Sequence, residues 1–156
     1  MKTRRRTPRA LLALVAVAFL HAALTWPLRD LLVLYLGGAV LAFVGEATVV
    51  RLGLLRHHVG PRLAGVPVVV VLAWPSTVYV ALRFAALVVP PGLVPVAAAL
   101  LATAADVVFD PRGVEEGLWS YPDAWVSRPR FRGVPWWNVV GWLVVVYVTA
   151  TLSTTF

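Results

Sequence analysis

The chain has no cysteine, which removes disulfide frameworks, thiolate metal sites, cysteine-ligated iron–sulfur clusters and cysteine nucleophiles from the chemistry open to it. Charge is scarce too. Only 13% of the 156 residues are charged, against about one quarter in water-soluble domains, and acids are outnumbered, 7 Asp and Glu to 14 Lys and Arg. What fills the chain is apolar: 60% of residues are hydrophobic and mean hydropathy is +0.83. The apolar runs have the length that crosses a bilayer, roughly 20 residues each. A soluble globular domain is excluded. The expected architecture is all-α, a single polytopic membrane bundle over residues 1–156.

Apolar runs bounded by charge, Pro or Gly predict five helices, at about 10–26, 31–50, 64–82, 92–109 and 134–154. The basic residues test this division, because cytoplasmic loops carry the Lys and Arg excess. Lys2, Arg4, Arg5, Arg6 and Arg9 precede the first helix; Arg51, Arg56 and Arg62 follow the second; Arg112, Arg128, Arg130 and Arg132 follow the fourth. All fall on one side. The other side receives only Arg29 and Arg83, so the N-terminus is expected in the cytoplasm and the C-terminus outside, in a multi-pass protein of the cell membrane. The net charge of +7 therefore reads as topology and contact with anionic lipid, not as a nucleic-acid surface. A basic start and an apolar run also describe a signal peptide. The run continues to Trp26 without a small-residue cleavage site at its end, and a second span follows almost at once, so a retained anchor is expected.

The sequence repeats itself. Pro61-Arg62-Leu63-Ala64-Gly65-Val66-Pro67 followed by Trp74 recurs 68 positions later as Pro129-Arg130-Phe131-Arg132-Gly133-Val134-Pro135 followed by Trp142. Each copy begins an outward-going helix and follows an inward-going one with acids near its end. A duplicated helical hairpin is expected, its copies related by an axis along the membrane normal.

Those acids are Glu46 in the second helix and Asp106 and Asp110, one turn apart on one face, in the fourth. A carboxylate in hydrocarbon costs about 2.5 to 3.5 kcal/mol at a helix centre, so it faces a cavity or a partner. Glu46, Asp106 and Asp110 are the candidate catalytic residues; pairing with Arg51, Arg56 or Arg112 near the headgroups is their structural alternative, and Asp110 before Pro111 is also a candidate helix terminator. The Asp-x-x-x-Asp pair has the form of a magnesium–diphosphate motif, but it lacks a further acidic cluster. Glu115 and Glu116 read as a solvated face, and the adjacent His57 and His58 do not converge on one ion. No metal is expected. The loop after the fourth helix and the start of the fifth are aromatic, with Trp119, Tyr121, Trp125, Phe131, Trp136 and Trp137 beside the amide of Asn138. An interfacial belt and a lined pocket are the two readings.

Taken in order, Asp106-Val-Val-Phe-Asp110-Pro111, Gly117-Leu118-Trp119, Gly133-Val134-Pro135, Asn138 and Gly141-Trp142 resemble the carotenoid biosynthesis membrane protein family that includes the bisanhydrobacterioruberin hydratase and related hydratases of acyclic carotenoid ends. Glu46, Gly60-Pro61, Gly65-Val66-Pro67 and Ala73-Trp74 extend the resemblance over roughly residues 45 to 142. The chain is shorter than the usual member, carries a plain run at Val49–Val59, and has Phe131-Arg132 where members tend to have tyrosines. The resemblance implies cofactor-independent addition of water to a terminal double bond of a linear carotenoid. It implies a lipophilic polyene substrate, membrane lipids and other carotenoid-pathway enzymes as partners, and no nucleic acid. Glu46, Asp106 and Asp110 would then share the acid and base roles; Trp74, Trp119, Trp136, Asn138 and Trp142 are the candidate substrate-binding residues. The alternatives are a non-catalytic carotenoid-binding or accessory protein and a small transporter, whose midplane polar groups would be only Ser76, Thr77, Tyr79 and Tyr147.

Overall fold

The computed structural model describes residues 9–154; Lys2, Arg4, Arg5 and Arg6 lie outside the described residues. The helices are α1 (Arg9–Thr25), α2 (Leu28–Arg51), α3 (Val68–Val88), α4 (Val94–Glu115) and α5 (Trp136–Thr154). Within α2, Val33–Gly37 is π-helical. Among the described residues four helices are long and apolar enough to cross a membrane, α2, α3, α5 and α4 with its preceding 3-10 turn. The 17-residue α1 reaches about 25 Å at 1.5 Å per residue. This is an all-α polytopic bundle, as the apolar runs predict.

Lipid as solvent turns the usual arrangement of side chains around. Leu24, Leu87 and Val88 are more than 70% exposed on the outer surface, whereas Glu46, His57, Ser76, Thr103, Asp110 and Asn138 are buried. The core is built from small residues, Ala42, Ala81, Ala85, Ala98, Ala99, Ala102 and Ala150 among them, because helices in a membrane associate by close packing of backbones. Helix α3 packs against α1, α2 and α4, and α5 against α4 and α2.

Three helix boundaries differ from expectation. The third helix starts at Val68 rather than near 64 and runs to Val88, because residues 62–67 are a β-hairpin, β2 (Arg62–Leu63) with β3 (Val66–Pro67). The fourth continues past Asp110 and Pro111 to Glu115. A proline omits one intrahelical bond, a loss tolerated where neighbouring helices and local adjustments satisfy the freed groups, and Pro111 is fully buried among them. What ends α4 is the later Gly117, at φ +64°.

That ending occurs twice. Gly53, at φ +73°, donates to the Val50 carbonyl and Leu54 to that of Val49; Gly117 donates to Val114 and Leu118 to Gly113. Both are Schellman caps, which need the left-handed conformation glycine adopts freely. A strand follows each cap, β1 (Arg56–His57) and β4 (Trp119–Ser120), and then a hairpin, of which the second is β5 (Arg130–Phe131) with β6 (Val134–Pro135). Each hairpin turns through two left-handed residues, Ala64-Gly65 and Arg132-Gly133, the I′ geometry that matches strand twist. From Glu46 to Arg56 the counterparts lie 64 positions on, and from Pro61 they lie 68 on. The extra residues fall in the segment containing the 3-10 turn Trp125–Ser127.

The duplication is therefore real in three dimensions, and two contacts locate its axis. Strands β1 and β4 pair antiparallel with Arg56 opposite Ser120, its own counterpart. Trp74 stacks on Trp142, also its counterpart, at 3.4 Å between ring centroids and 19° between planes. Residues that touch their own counterparts lie close to the pseudo-two-fold axis, which runs along the bundle because both copies have the same direction.

Candidate functional site

The duplication builds the site. Glu46 stands seven residues before Gly53, and Asp110 seven before Gly117, so the two capped helices deliver one acid each to equivalent places. Each acid meets a side chain at the end of the strand after the cap, His57 as the last residue of β1 and Tyr121 just past β4. Glu46 Oε2 lies 2.7 Å from His57 Nε2, and the Tyr121 hydroxyl donates to Asp110 Oδ2 at 2.8 Å. His57 and Tyr121 are counterparts, 64 positions apart. An arginine from each hairpin braces the partner's backbone: Arg62 donates to the His57 carbonyl at 2.5 Å and Arg130 to the Tyr121 carbonyl at 2.9 Å. Burial pushes the Tyr121 phenol above its ordinary range, reinforced by the Asp110 carboxylate that it touches.

The second copy carries more. Asn138 donates to Asp110 Oδ2 at 2.8 Å and to Asp106 Oδ2 at 3.3 Å, so one amide bridges both aspartates. Their counterparts in the first copy are Ala42 for Asp106 and Val70 for Asn138. The Trp119 indole N–H donates to Asp110 Oδ1. Trp119 lies across Gly113, where a Cβ would collide with the indole ring; the counterpart there is Val49. Symmetry positions the two acids, and departures from symmetry add polar groups to one of them.

These groups form the polar end of a cavity of about 770 Å³. Glu46, His57, Asp106, Asp110 and Tyr121 line that end, with Trp74, Trp119 and Trp142 alongside, and apolar residues of α1, α3 and α4 make up most of the remainder. Four of the apolar lining residues, Leu14, Phe84, Leu101 and Phe109, are also exposed on the outer surface, at 38%, 60%, 45% and 60%. The opening is thus sideways, toward lipid. Among the described residues no arginine forms an ion pair with Glu46, Asp106 or Asp110; the arginine pairs found are peripheral, Arg128 and Arg130 with Asp123 and Arg132 with Glu115. The Arg128 contact holds the exposed Asp123 carboxyl below its ordinary range.

A family model described as carotenoid biosynthesis protein matches residues 7–156. The chain belongs to this family. No curated protein and no solved structure matches it. In this carotenoid biosynthesis protein the cavity gathers six of the eight residues singled out from sequence: Glu46, Asp106, Asp110, Trp74, Trp119 and Trp142. Asn138 is buried one hydrogen bond behind the aspartates. Trp136 stands elsewhere: as the first residue of α5 it is 46% exposed and its indole donates to the Val126 carbonyl at 3.2 Å, fastening the loop. Two site residues have no individual role in the sequence reading: His57 is read there only as a metal ligand, and Tyr121 only as one of the aromatics of a belt or a lined pocket. The signal was the 64-residue repeat, which aligns Glu46, Gly53 and His57 with Asp110, Gly117 and Tyr121.

Proposed function

We propose that this carotenoid biosynthesis protein is a hydratase that adds water to a terminal double bond of a linear carotenoid, with no redox cofactor. The observation that carries the reading is the cavity, largely apolar and open sideways to lipid, with the carboxyl groups of buried Glu46 and Asp110, half-buried Asp106 and exposed Glu116 among its lining. A polyene has no polar group to be recognised by; an apolar channel that ends in acids presents its terminus to proton donors. Hydration needs a proton on one alkene carbon and water on the other, and the oxidation level of the pair is unchanged.

Asp106 is the proton donor in this reading. Asp110 spends both oxygens accepting from Trp119, Tyr121 and Asn138, the arrangement of a carboxylate. Asp106 has one longer contact, from Asn138, is only half-buried and lines the cavity. Protonation leaves a tertiary cation, and the ring faces of Trp74, Trp119 and Trp142 suit it, each cation–π contact contributing about 0.5 to 2 kcal/mol. The protein is multi-pass in the cell membrane with its N-terminus and the polar end of the cavity at the cytoplasmic side, where water is at hand.

The test is pigment analysis, by chromatography and mass spectrometry, of a host that makes linear carotenoids with and without this chain. The expected result is a mass gain of one water, absent in D106N and E46Q variants expressed at normal levels. Hydration that persists in both variants overturns the carboxylate mechanism. The second reading is a non-catalytic carotenoid-binding protein, favoured by the internal hydrogen bonds of Glu46 and Asp110; pigment that copurifies without conversion would establish it.

A further inference from the structure

We infer that His57, held by Glu46, is the base that takes the proton from the attacking water, an assignment that rests on the hydratase reading. The geometry distinguishes His57 from its counterpart. Tyr121 has one polar side-chain atom, and its bond to Asp110 satisfies it. His57 has two. Nε2 lies 2.7 Å from Glu46 Oε2, and Nδ1 is buried with no hydrogen-bond partner. Buried polar atoms are nearly always partnered. Among the described residues that line the cavity, His57 alone has such an atom unpartnered.

The Glu46 carboxylate accepts a hydrogen bond from Nε2–H, which fixes Nδ1 as the nitrogen with the lone pair. An unpartnered acceptor on a carboxylate-oriented imidazole of a cavity-lining residue suits a water molecule whose oxygen attacks the cation. The steps balance. The Asp106 carboxyl O–H breaks as a C–H bond forms and the π bond opens; the water oxygen forms the C–O bond to the tertiary carbon; its proton passes to His57 Nδ1 and from there to solvent, which returns one to Asp106. Glu46 is then a positioning residue, and the two copies divide the reaction, the second giving the proton and the first removing one.

The two halves separate in D2O. If Asp106 protonates the alkene but no base activates water, the cation loses a proton again and the unhydrated polyene takes up deuterium at its end. Membranes containing linear carotenoid are incubated in D2O with wild type, H57Q, H57Y and D106N. H57Q keeps an N–H donor for Glu46, and H57Y installs the bond that Tyr121 makes. Both are expected to lose hydration by about 10²- to 10⁴-fold while deuterium uptake continues, and D106N to lose both. Hydration at the wild-type rate in either variant overturns the assignment, as does loss of deuterium uptake in both. Wild type that gives neither hydrated product nor deuterated polyene overturns the hydratase reading, and this assignment with it.

Discussion

Asn138 touches two aspartates with one amide, and its counterpart in the other copy is Val70. N138V therefore restores the symmetric residue, which fits a helix interior, and removes the bridge. It leaves buried Asp110 with one donor fewer, a loss of about 1 to 3 kcal/mol for a buried hydrogen-bonding group, measurable as a lower Tm in detergent together with reduced hydration. Gly113 and Gly141 make a contrasting pair. G113A drives a methyl into the Trp119 ring, an overpacking of about 1 to 3 kcal/mol, and displaces the indole from Asp110. G141A meets nothing within 4 Å and removes backbone freedom from α5, so Tm is expected to rise, by up to about 1 kcal/mol in stability. Tyr121 supplies a pH dependence. Its folded-state pKa is raised, so the folded protein keeps the phenolic proton longer than the unfolded chain. Stability is then undiminished below the unfolded value near 10 and falls as pH rises above it. Y121F is expected to flatten that alkaline fall in thermal unfolding followed from about pH 9 to about pH 11.

At the scale of elements, the capped helix is the unit that delivers the chemistry. Gly53 and Gly117 fix where α2 and α4 stop and hence where the acid seven residues earlier sits relative to His57, in β1, or Tyr121, just past β4. G53A and G117A each force an L side chain into the left-handed region, a cost above about 1 kcal/mol. Each is expected to lower Tm and to reduce the proposed hydration further than the loss of folded protein explains, measured as product per folded molecule. The helices themselves were legible, since apolar runs of membrane-spanning length announce them. Their ends were less so. The hairpin at 62–67 reads as apolar as the helix it precedes, and Pro111 reads as a stop, whereas a buried proline with packed neighbours lets α4 run on to its glycine cap.

At the scale of the whole molecule, alternating helix directions gather both hairpins, the β1–β4 ladder and the polar end of the cavity at one end of the bundle. The absence of native cysteine makes the orientation directly testable. G92C, in the exposed turn at the opposite end, is expected to react with a membrane-impermeant maleimide in intact cells. D123C, exposed beside the polar end, is expected to react only after lysis. The reverse pattern would put the site at the outer surface.

Composition and the spacing of charge determined that this chain spans a bilayer, how many helices it has and that its two hairpins are copies, because each of these follows from runs and repeats along one dimension. The three acids were legible too, since a carboxylate in an apolar helix stands out against its neighbours. Only the tertiary structure decided what those acids touch. The pairing of Glu46 with His57, the bridge from Asn138 and the departure of Trp136 to the loop depend on strand register and on which way a side chain leaves its helix. Across the pseudo-two-fold, Trp74 meets Trp142 and Arg56 lies opposite Ser120, contacts between residues more than sixty positions apart. Local sequence carries no record of such distances; packing the two copies against each other sets them.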